Sequence, residues 1–172
     1  IQTIERQTDD ILSLVESLST ISNLDSRGTL TLETVNLNQL IEDIYTKKSP
    51  QFNAGDLHVT LALGQEIPTI YANPHELSLA VTCLLDNAIN HTQPGGTINI
   101  TSTVNDHAIL VTIRDTGSGI SPDILPHIFE RFFREDRART TRGFGLGLPI
   151  AKAIVERHQG HIEVDSTLGE GS

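Results

Sequence analysis

The sequence predicts an α+β fold: a two-layer α/β sandwich in which helices cover one face of a mixed β-sheet. Three observations lead there. Short runs such as Leu57-His-Val-Thr-Leu-Ala-Leu63 alternate apolar and polar residues, the period of a half-buried strand. Between them lie longer stretches with helical periodicity, opened by Asn and Pro in capping positions. Strands and helices alternate without the spacing of a doubly wound parallel sheet.

Residues 1 to about 24 repeat Ile4, Ile11 and Leu18 at heptad intervals, flanked by Ile1 and Val15 and widened by Leu12, Leu14 and Ile21. A long helix with so broad an apolar face needs a partner, and a second copy of itself is the favoured one over packing on its own domain. Asp25-Ser-Arg-Gly28 breaks that helix, and Thr29 to Val35 alternates as a strand. Asn36 with Gln39 forms a capping box for a helix to about Lys48, followed by a loop from Ser49 to Asp56. Strands are expected over Leu57–Leu63 and Thr69–Ala72. Asn73-Pro74 then caps and starts a helix reaching about Asn90, which ends before Pro94-Gly-Gly96. Thr97–Val104 and Ala108–Arg114 read as a hairpin around Asn105-Asp106. Pro122 to Phe133 is helical or turn, and Glu135 to Arg142 lacks periodicity and reads as a mobile stretch. Leu146 to His158 is a helix stopped by Gly160, and His161 to Ser166 a last strand.

A chain of 172 residues suits one domain plus an extra element. Its net charge of −10 argues against nucleic acid and against an anionic membrane surface. Yet Arg131, Arg134, Arg137, Arg139 and Arg142 gather five of the 12 Lys and Arg, as a site for one specific anionic ligand would. The single cysteine, Cys83, excludes an internal disulfide and fits a reducing, cytoplasmic setting. No apolar run approaches the about 20 residues of a membrane span. The chain starts without Met in a helical pattern, which suggests a piece of a longer protein.

Four segments carry the chemistry. Asp115-Thr-Gly-Ser-Gly-Ile120 places a carboxylate at a strand end before two glycines that let a backbone approach a ligand. A carboxylate only accepts hydrogen bonds, so it suits the amine of adenine and not the keto group of guanine. Asp-Thr-Gly also occurs in aspartic proteases, but these need two such carboxylates and no second copy exists here. Leu84-Leu-Asp-Asn-Ala-Ile-Asn90 interrupts an apolar helix face with oxygen ligands of the kind Mg²⁺ prefers. Asn87 is the purposeful amide among them, and Asp86 is expected to face solvent. Gly143-Phe-Gly-Leu-Gly-Leu148 opens a helix, where backbone N–H groups bind anions. It lacks the setting of a dinucleotide fingerprint, and no Walker lysine or Ser/Thr/Tyr-kinase signature occurs.

Taken together, these segments resemble the ATP-binding (catalytic) domain of bacterial sensor histidine kinases, of the GHKL or Bergerat-type superfamily that includes gyrase-type and heat-shock-chaperone ATPases. Leu84–Thr92 resembles the family's N box, Asp115–Ile120 the G1 box, Ile128-Phe-Glu-Arg-Phe-Phe-Arg134 the F box, Gly143–Leu148 the G2 box, and Gly169-Glu-Gly171 the final glycine motif. The resemblance implies that residues 28–172 are the catalytic domain. Residues 1–27 would be the second helix of the dimerisation and phosphotransfer hairpin. It implies ATP and Mg²⁺ as cofactors, with Asn87 on the metal and Asp115 on the adenine amine. Gly117, Gly119 and Ile120 would border the base, and Gly143, Gly145, Leu146, Gly147 and Leu148 the phosphates. Asn90, His91 and Ser172 complete the implied nucleotide contacts. Phe132 and Phe133 would anchor a lid over residues 134–142, and Arg131 or Arg134 would reach the γ-phosphate.

Two departures stand out. Where the family often has Asn, and the gyrase-type ATPases a water-activating Glu, this chain has Cys83, which argues against hydrolysis. The usual Lys-Tyr after the N box is Asn90-His91, so lid arginines are expected to compensate for a lost cation. Pro74-His-Glu-Leu77 mimics the phospho-acceptor motif, but it lies in the metal-site helix and reads as an exposed first turn. The acceptor histidine is therefore expected upstream. The implied partners are a response-regulator receiver domain and, through the N-terminal helix, a second copy. Membrane attachment would come only from upstream segments. The competing readings are a serine kinase of the anti-sigma-factor type, which lacks the N-terminal helix, and a pseudo-kinase interaction module.

Overall fold

The computed structural model describes residues 15, 18–22, 30–105, 108–134 and 144–172. The long N-terminal helix, the Asp25–Gly28 break, the tip of the hairpin turn, the lid stretch and Gly143 fall wholly or largely outside them. In order, the elements are β1 (Glu33–Val35), α1 (Leu37–Ala54), β2 (His58–Leu63), β3 (Ile70–Ala72), α2 (Pro74–His91), β4 (Thr97–Val104), β5 (Ile109–Asp115), a 3-10 turn (Leu125–His127) and α3 (Gly147–Arg157).

The main sheet has the order β2-β4-β5, with β2 parallel to β4 and β4 antiparallel to β5, and is therefore mixed as expected. A small antiparallel pair, β1-β3, stands apart from it. Alternation decides the faces. Val59, Leu61 and Leu63 of β2, Ile98 and Ile100 of β4, and Ile109, Val111 and Ile113 of β5 point inward. They meet Leu37, Ile41, Ile44 and Phe52 of α1 and Val81, Leu85 and Ala88 of α2. On the outer face Thr60 donates to the Asn99 side chain across the strands. One layer of helices thus covers one face of the sheet.

A second core lies on the far side of α2. Ala80 packs there with Leu146, Ile150, Ala151 and Ile154, so α2 is clasped between the sheet and α3. Residues 18–22 are helical, and Ile21 is buried in this second core, while Val15 and Leu18 stay exposed. One edge of the N-terminal apolar stripe therefore packs on the chain's own domain.

Three elements differ from the sequence reading: of the strand expected over Thr29–Val35, only Glu33–Val35 is formed among the described residues, paired with Ile70–Ala72. Helix α1 does not stop at Lys48 but runs on through Pro50 to Ala54. A proline inside a helix leaves the carbonyl four residues back without its N–H donor. Here that carbonyl, of Thr46, accepts the Ser49 hydroxyl at 2.9 Å, and Phe52, its ring tilted against Tyr45, anchors the extra turn in the core. The expected last strand over 161–166 keeps its alternating burial, but no strand is formed there. The bonds that tie this end of the chain to β5 come from residues 166–172 instead, with one isolated bridge between Thr167 and Gly171.

Candidate nucleotide-binding site

The site begins at the end of β5. Continuing the inward parity of Ile109, Val111 and Ile113, Asp115 turns its carboxylate to the helix side and is only 7% exposed. Its Oδ1 accepts the Gly117 N–H at 2.8 Å, which folds the chain sharply after the strand. A Cβ on Gly117 would lie 2.5 Å from the His91 carbonyl oxygen and 2.7 Å from Asp115 Oδ1, so only glycine fits. Ser118 N–H donates to that same His91 carbonyl at 3.2 Å. Thus the loop after β5 is pinned to the last turn of α2. Gly119 has φ +62°, and a Cβ there would strike the Thr167 carbonyl.

A second glycine turn closes the same corner. Asp115 N–H donates to the Ser172 carbonyl, and Gly169 N–H to the Ser118 carbonyl. Gly171, at φ +105°, lies so close under the Asp115 carbonyl that any Cβ would overlap it. The segments over 115–120 and 169–172, distant in sequence, form one folded unit.

Helix α2 supplies the floor. Asn73 caps it by accepting the Glu76 N–H, Pro74 occupies its first turn, and His75 is exposed there as expected. Cys83, Asn87 and His91 follow at intervals of four and lie along one face. At the far end of this stripe Gly147, the first residue of α3, sits over Cys83: a Cβ on Gly147 would be 3.8 Å from the Cys83 Cβ. At the near end His91 holds Gly117 and Ser118. The two glycine loops therefore stand about 12 Å apart along α2, eight residues at 1.5 Å each, with Asn87 midway. The Asn87 amide makes no hydrogen bond to another described residue. Asp86 does not simply face solvent: its carboxylate pairs with Lys48 of α1 at 2.5 Å. Asn90 is exposed.

Leu146, the N-cap of α3, makes no side-chain cap bond, and among the described residues the N–H groups of Gly147 and Leu148 have no capping partner. Gly145 has φ +69° and faces Phe133, where a Cβ would be 2.4 Å from the carbonyl oxygen; Phe132 N–H donates to the Gly145 carbonyl at 3.0 Å. Phe133 is half-buried beside His127, and Arg131 and Arg134 are exposed next to it. The two ends of the 134–144 segment are hence bound to each other at Phe132, Phe133 and Gly145. Gly143, Arg137, Arg139 and Arg142 lie outside the described residues.

Burial, reinforced by the Asp86 carboxylate and partly offset by Lys48, pushes the Cys83 thiol up to about 12. At neutral pH this shift keeps the thiol protonated. Among the described residues no group of three or more His, Cys, Asp or Glu could hold a metal; along this stripe the Asn87 side chain carries an amide oxygen. One protein oxygen completed by phosphate and water is a set that fits Mg²⁺. No helix among the described residues is long and apolar enough to cross a membrane.

The sequence reading named most of these residues but missed Ser166. Its hydroxyl accepts the Ile120 N–H at 2.8 Å, donates to the Gly171 carbonyl at 2.8 Å and meets the Ser172 hydroxyl at 2.9 Å. A serine at the end of an alternating run gives no local signal of such a role.

Comparison with known proteins identifies the family. The chain is similar to the sensor histidine kinase RppB of Synechocystis sp., 38% identical over all of this chain and 38% of that protein. It also resembles the adaptive-response sensory kinase SasA of Synechococcus elongatus, 44% identical over 62% of this chain and 28% of that protein. The chain thus spans well under half the length of the curated relatives it matches. Among solved structures, full-length ShkA in complex with AMPPNP aligns with 98% of this chain and 36% of its own, at TM-score 0.86 and 28% identity. The catalytic domain of histidine kinase ThkA aligns over 74% of this chain and 82% of its own, at TM-score 0.66 and 26% identity. The family model of the histidine kinase-, DNA gyrase B- and HSP90-like ATPases matches residues 72–172, the stretch that holds both glycine loops and the Asn87 helix, and the chain belongs to that family.

Proposed function

We propose that this chain is the catalytic domain of a sensor histidine kinase. It binds Mg-ATP between its two glycine loops and presents the γ-phosphate to a histidine on a dimerisation hairpin. The observation that carries the reading is the α2 stripe: Gly147 over Cys83, Asn87 in the middle, and Gly117 and Ser118 against His91. The base would sit by Asp115, which accepts from the adenine amine, with Gly117, Gly119, Ile120 and Ser172 around it. The phosphates would meet the uncapped N–H groups of Gly147 and Leu148 at the positive end of α3, with Gly143, Gly145 and Leu146 beside them. Asn90, His91 and Phe133 would border the nucleotide between these ends. Asn87 would hold Mg²⁺ through its amide oxygen. A bound Mg²⁺ supplies charge neutralisation across the phosphate oxygens. Arg131 or Arg134 would balance charge on the γ-phosphate.

In the transfer, a neutral imidazole nitrogen bonds to the γ-phosphorus as the bond to the bridging oxygen breaks, and ADP leaves. What this chain does is bind and orient. Cys83, a neutral thiol where hydrolases of the family carry Glu, cannot activate water. A response-regulator aspartate would receive the phosphate next. Residues 1–27 would belong to the hairpin, its exposed Val15 and Leu18 facing a second copy. The test supplies the missing hairpin as a separate chain with γ-labelled ATP. The expected result is label on its histidine only when this chain and Mg²⁺ are present; no label, with ATP bound, contradicts the kinase reading.

A further inference from the structure

We propose that Ser166 is a positioning residue for the nucleotide, fixing the base end of the pocket through the polarity of its hydroxyl. The inference rests on the ATP-binding reading above. A serine hydroxyl has one hydrogen and two lone pairs. A carbonyl can only accept, so the Ser166 hydrogen goes to the Gly171 oxygen. The Ile120 N–H can only donate, so it takes one lone pair. The remaining contact, 2.9 Å to Ser172 Oγ, must then be donated by Ser172. All three capacities of Ser166 are used, on Ile120, Gly171 and Ser172.

Two consequences follow. First, Ser166 locks the turn after Gly119 to the 169–172 turn, which itself holds Asp115 through the Ser172 carbonyl. Removing the hydroxyl leaves the half-buried Ile120 N–H and the Ser172 hydroxyl without this partner and loosens both walls beside Asp115. Second, the Ser172 hydroxyl spends its hydrogen on Ser166. Toward a ligand it offers lone pairs only, and an acceptor there suits an amine and not a keto group. Ser166 thereby supports the same selectivity as Asp115 from a position outside the pocket lining.

Calorimetric titration of the 172-residue chain with ATP and with ITP, in Mg²⁺, tests this. Ser166→Ala is expected to bind ATP about tenfold more weakly, the scale of a lost hydrogen bond or two, and to lose part of its preference for ATP over ITP. Ser166→Thr, which keeps the hydroxyl, should restore both. Ser102→Ala is the structural control: that hydroxyl is also engaged, in two bonds, to Asn38 and the Gly64 N–H at the other end of the sheet. It should lower thermal stability and leave both affinities unchanged. If Ser166→Ala does not fold, Ser166→Cys, a poorer donor of similar shape, carries the same expectation. A folded Ser166→Ala or Ser166→Cys with wild-type affinity and selectivity overturns the inference while leaving the ATP reading intact. A wild-type chain that binds neither nucleotide overturns both.

Discussion

Replacing Asp115 by Asn separates base selection from folding. In the wild type, Oδ1 accepts the Gly117 N–H at 2.8 Å and the second oxygen is left for a ligand. An Asn can keep the first bond through its own Oδ1. Its NH₂ then takes the place of the second oxygen and meets the adenine amine donor to donor. The lost interaction is a hydrogen bond to a carboxylate, about 1.5–3 kcal/mol, which is about 10- to 150-fold in affinity for ATP. Because the Gly117 bond survives and a nearly buried carboxylate is replaced by a neutral amide, the midpoint of thermal unfolding should not fall. Hypoxanthine carries a keto oxygen where adenine has its amine, so ITP should bind the variant better than it binds the wild type. Calorimetry with ATP, ADP and ITP reads all of this. A folded Asp115→Asn chain with ATP affinity within twofold of the wild type and no gain for ITP would refute the placement of the base.

Other perturbations follow from the same geometry. Gly145→Ala adds a Cβ at φ +69°, 2.4 Å from the Phe133 carbonyl; it should cost about 1–3 kcal/mol in unfolding free energy and weaken ATP more than adenosine, and equal losses for both would argue against a phosphate-side role. Arg131→Ala or Arg134→Ala should weaken ATP severalfold and leave ADP nearly unchanged; two variants with unaltered ATP affinity would remove the arginines from the γ-phosphate. Cys83 gives a pH test. Its thiol value rises from 9.0 to about 12 on folding, so the folded chain holds a proton that the unfolded chain loses in that window. Stability should fall as pH rises from 9 toward 12, by about 1.4 kcal/mol per unit at most. Denaturant melts should show that slope in the wild type and lose it in Cys83→Ala; identical slopes would contradict the assignment. The same thiol should resist alkylation at neutral pH.

Local pattern carried much of the fold. Alternation marked β2, β4 and β5, Asn73-Pro74 marked the start of α2, and the glycine-rich segments marked both loops. These signals are local in the chain, and that is why they could be read. What the sequence hid depends on contacts between distant residues. The helix opened by Asn36 reads as ending near Lys48 until the Ser49 hydroxyl is seen to serve the Thr46 carbonyl that Pro50 leaves without a donor. Asp86 reads as solvated until Lys48, on another helix, is seen beside it. The run 161–166 alternates like a strand, yet its end is tied to β5 by the turn that follows. Ile21 belongs to a stripe that suggested a partner helix, and only the folded chain shows it buried against Ala80 and Ile154. Ser166 is 46 positions from Ile120, beyond the reach of any periodicity. In the site itself, the motifs named the residues, whereas the stripe of Cys83, Asn87 and His91 as a ruler between the loops emerged from packing.

The central claim is that one ligand spans that ruler, and a crystal structure of the chain grown with AMPPNP and Mg²⁺ measures it most directly. The expected density has the adenine amine on Asp115, the metal about 2.1 Å from the Asn87 amide oxygen, and phosphate oxygens on the N–H groups of Gly147 and Leu148. A nucleotide bound with its base away from Asp115, or a metal held without Asn87, would contradict it.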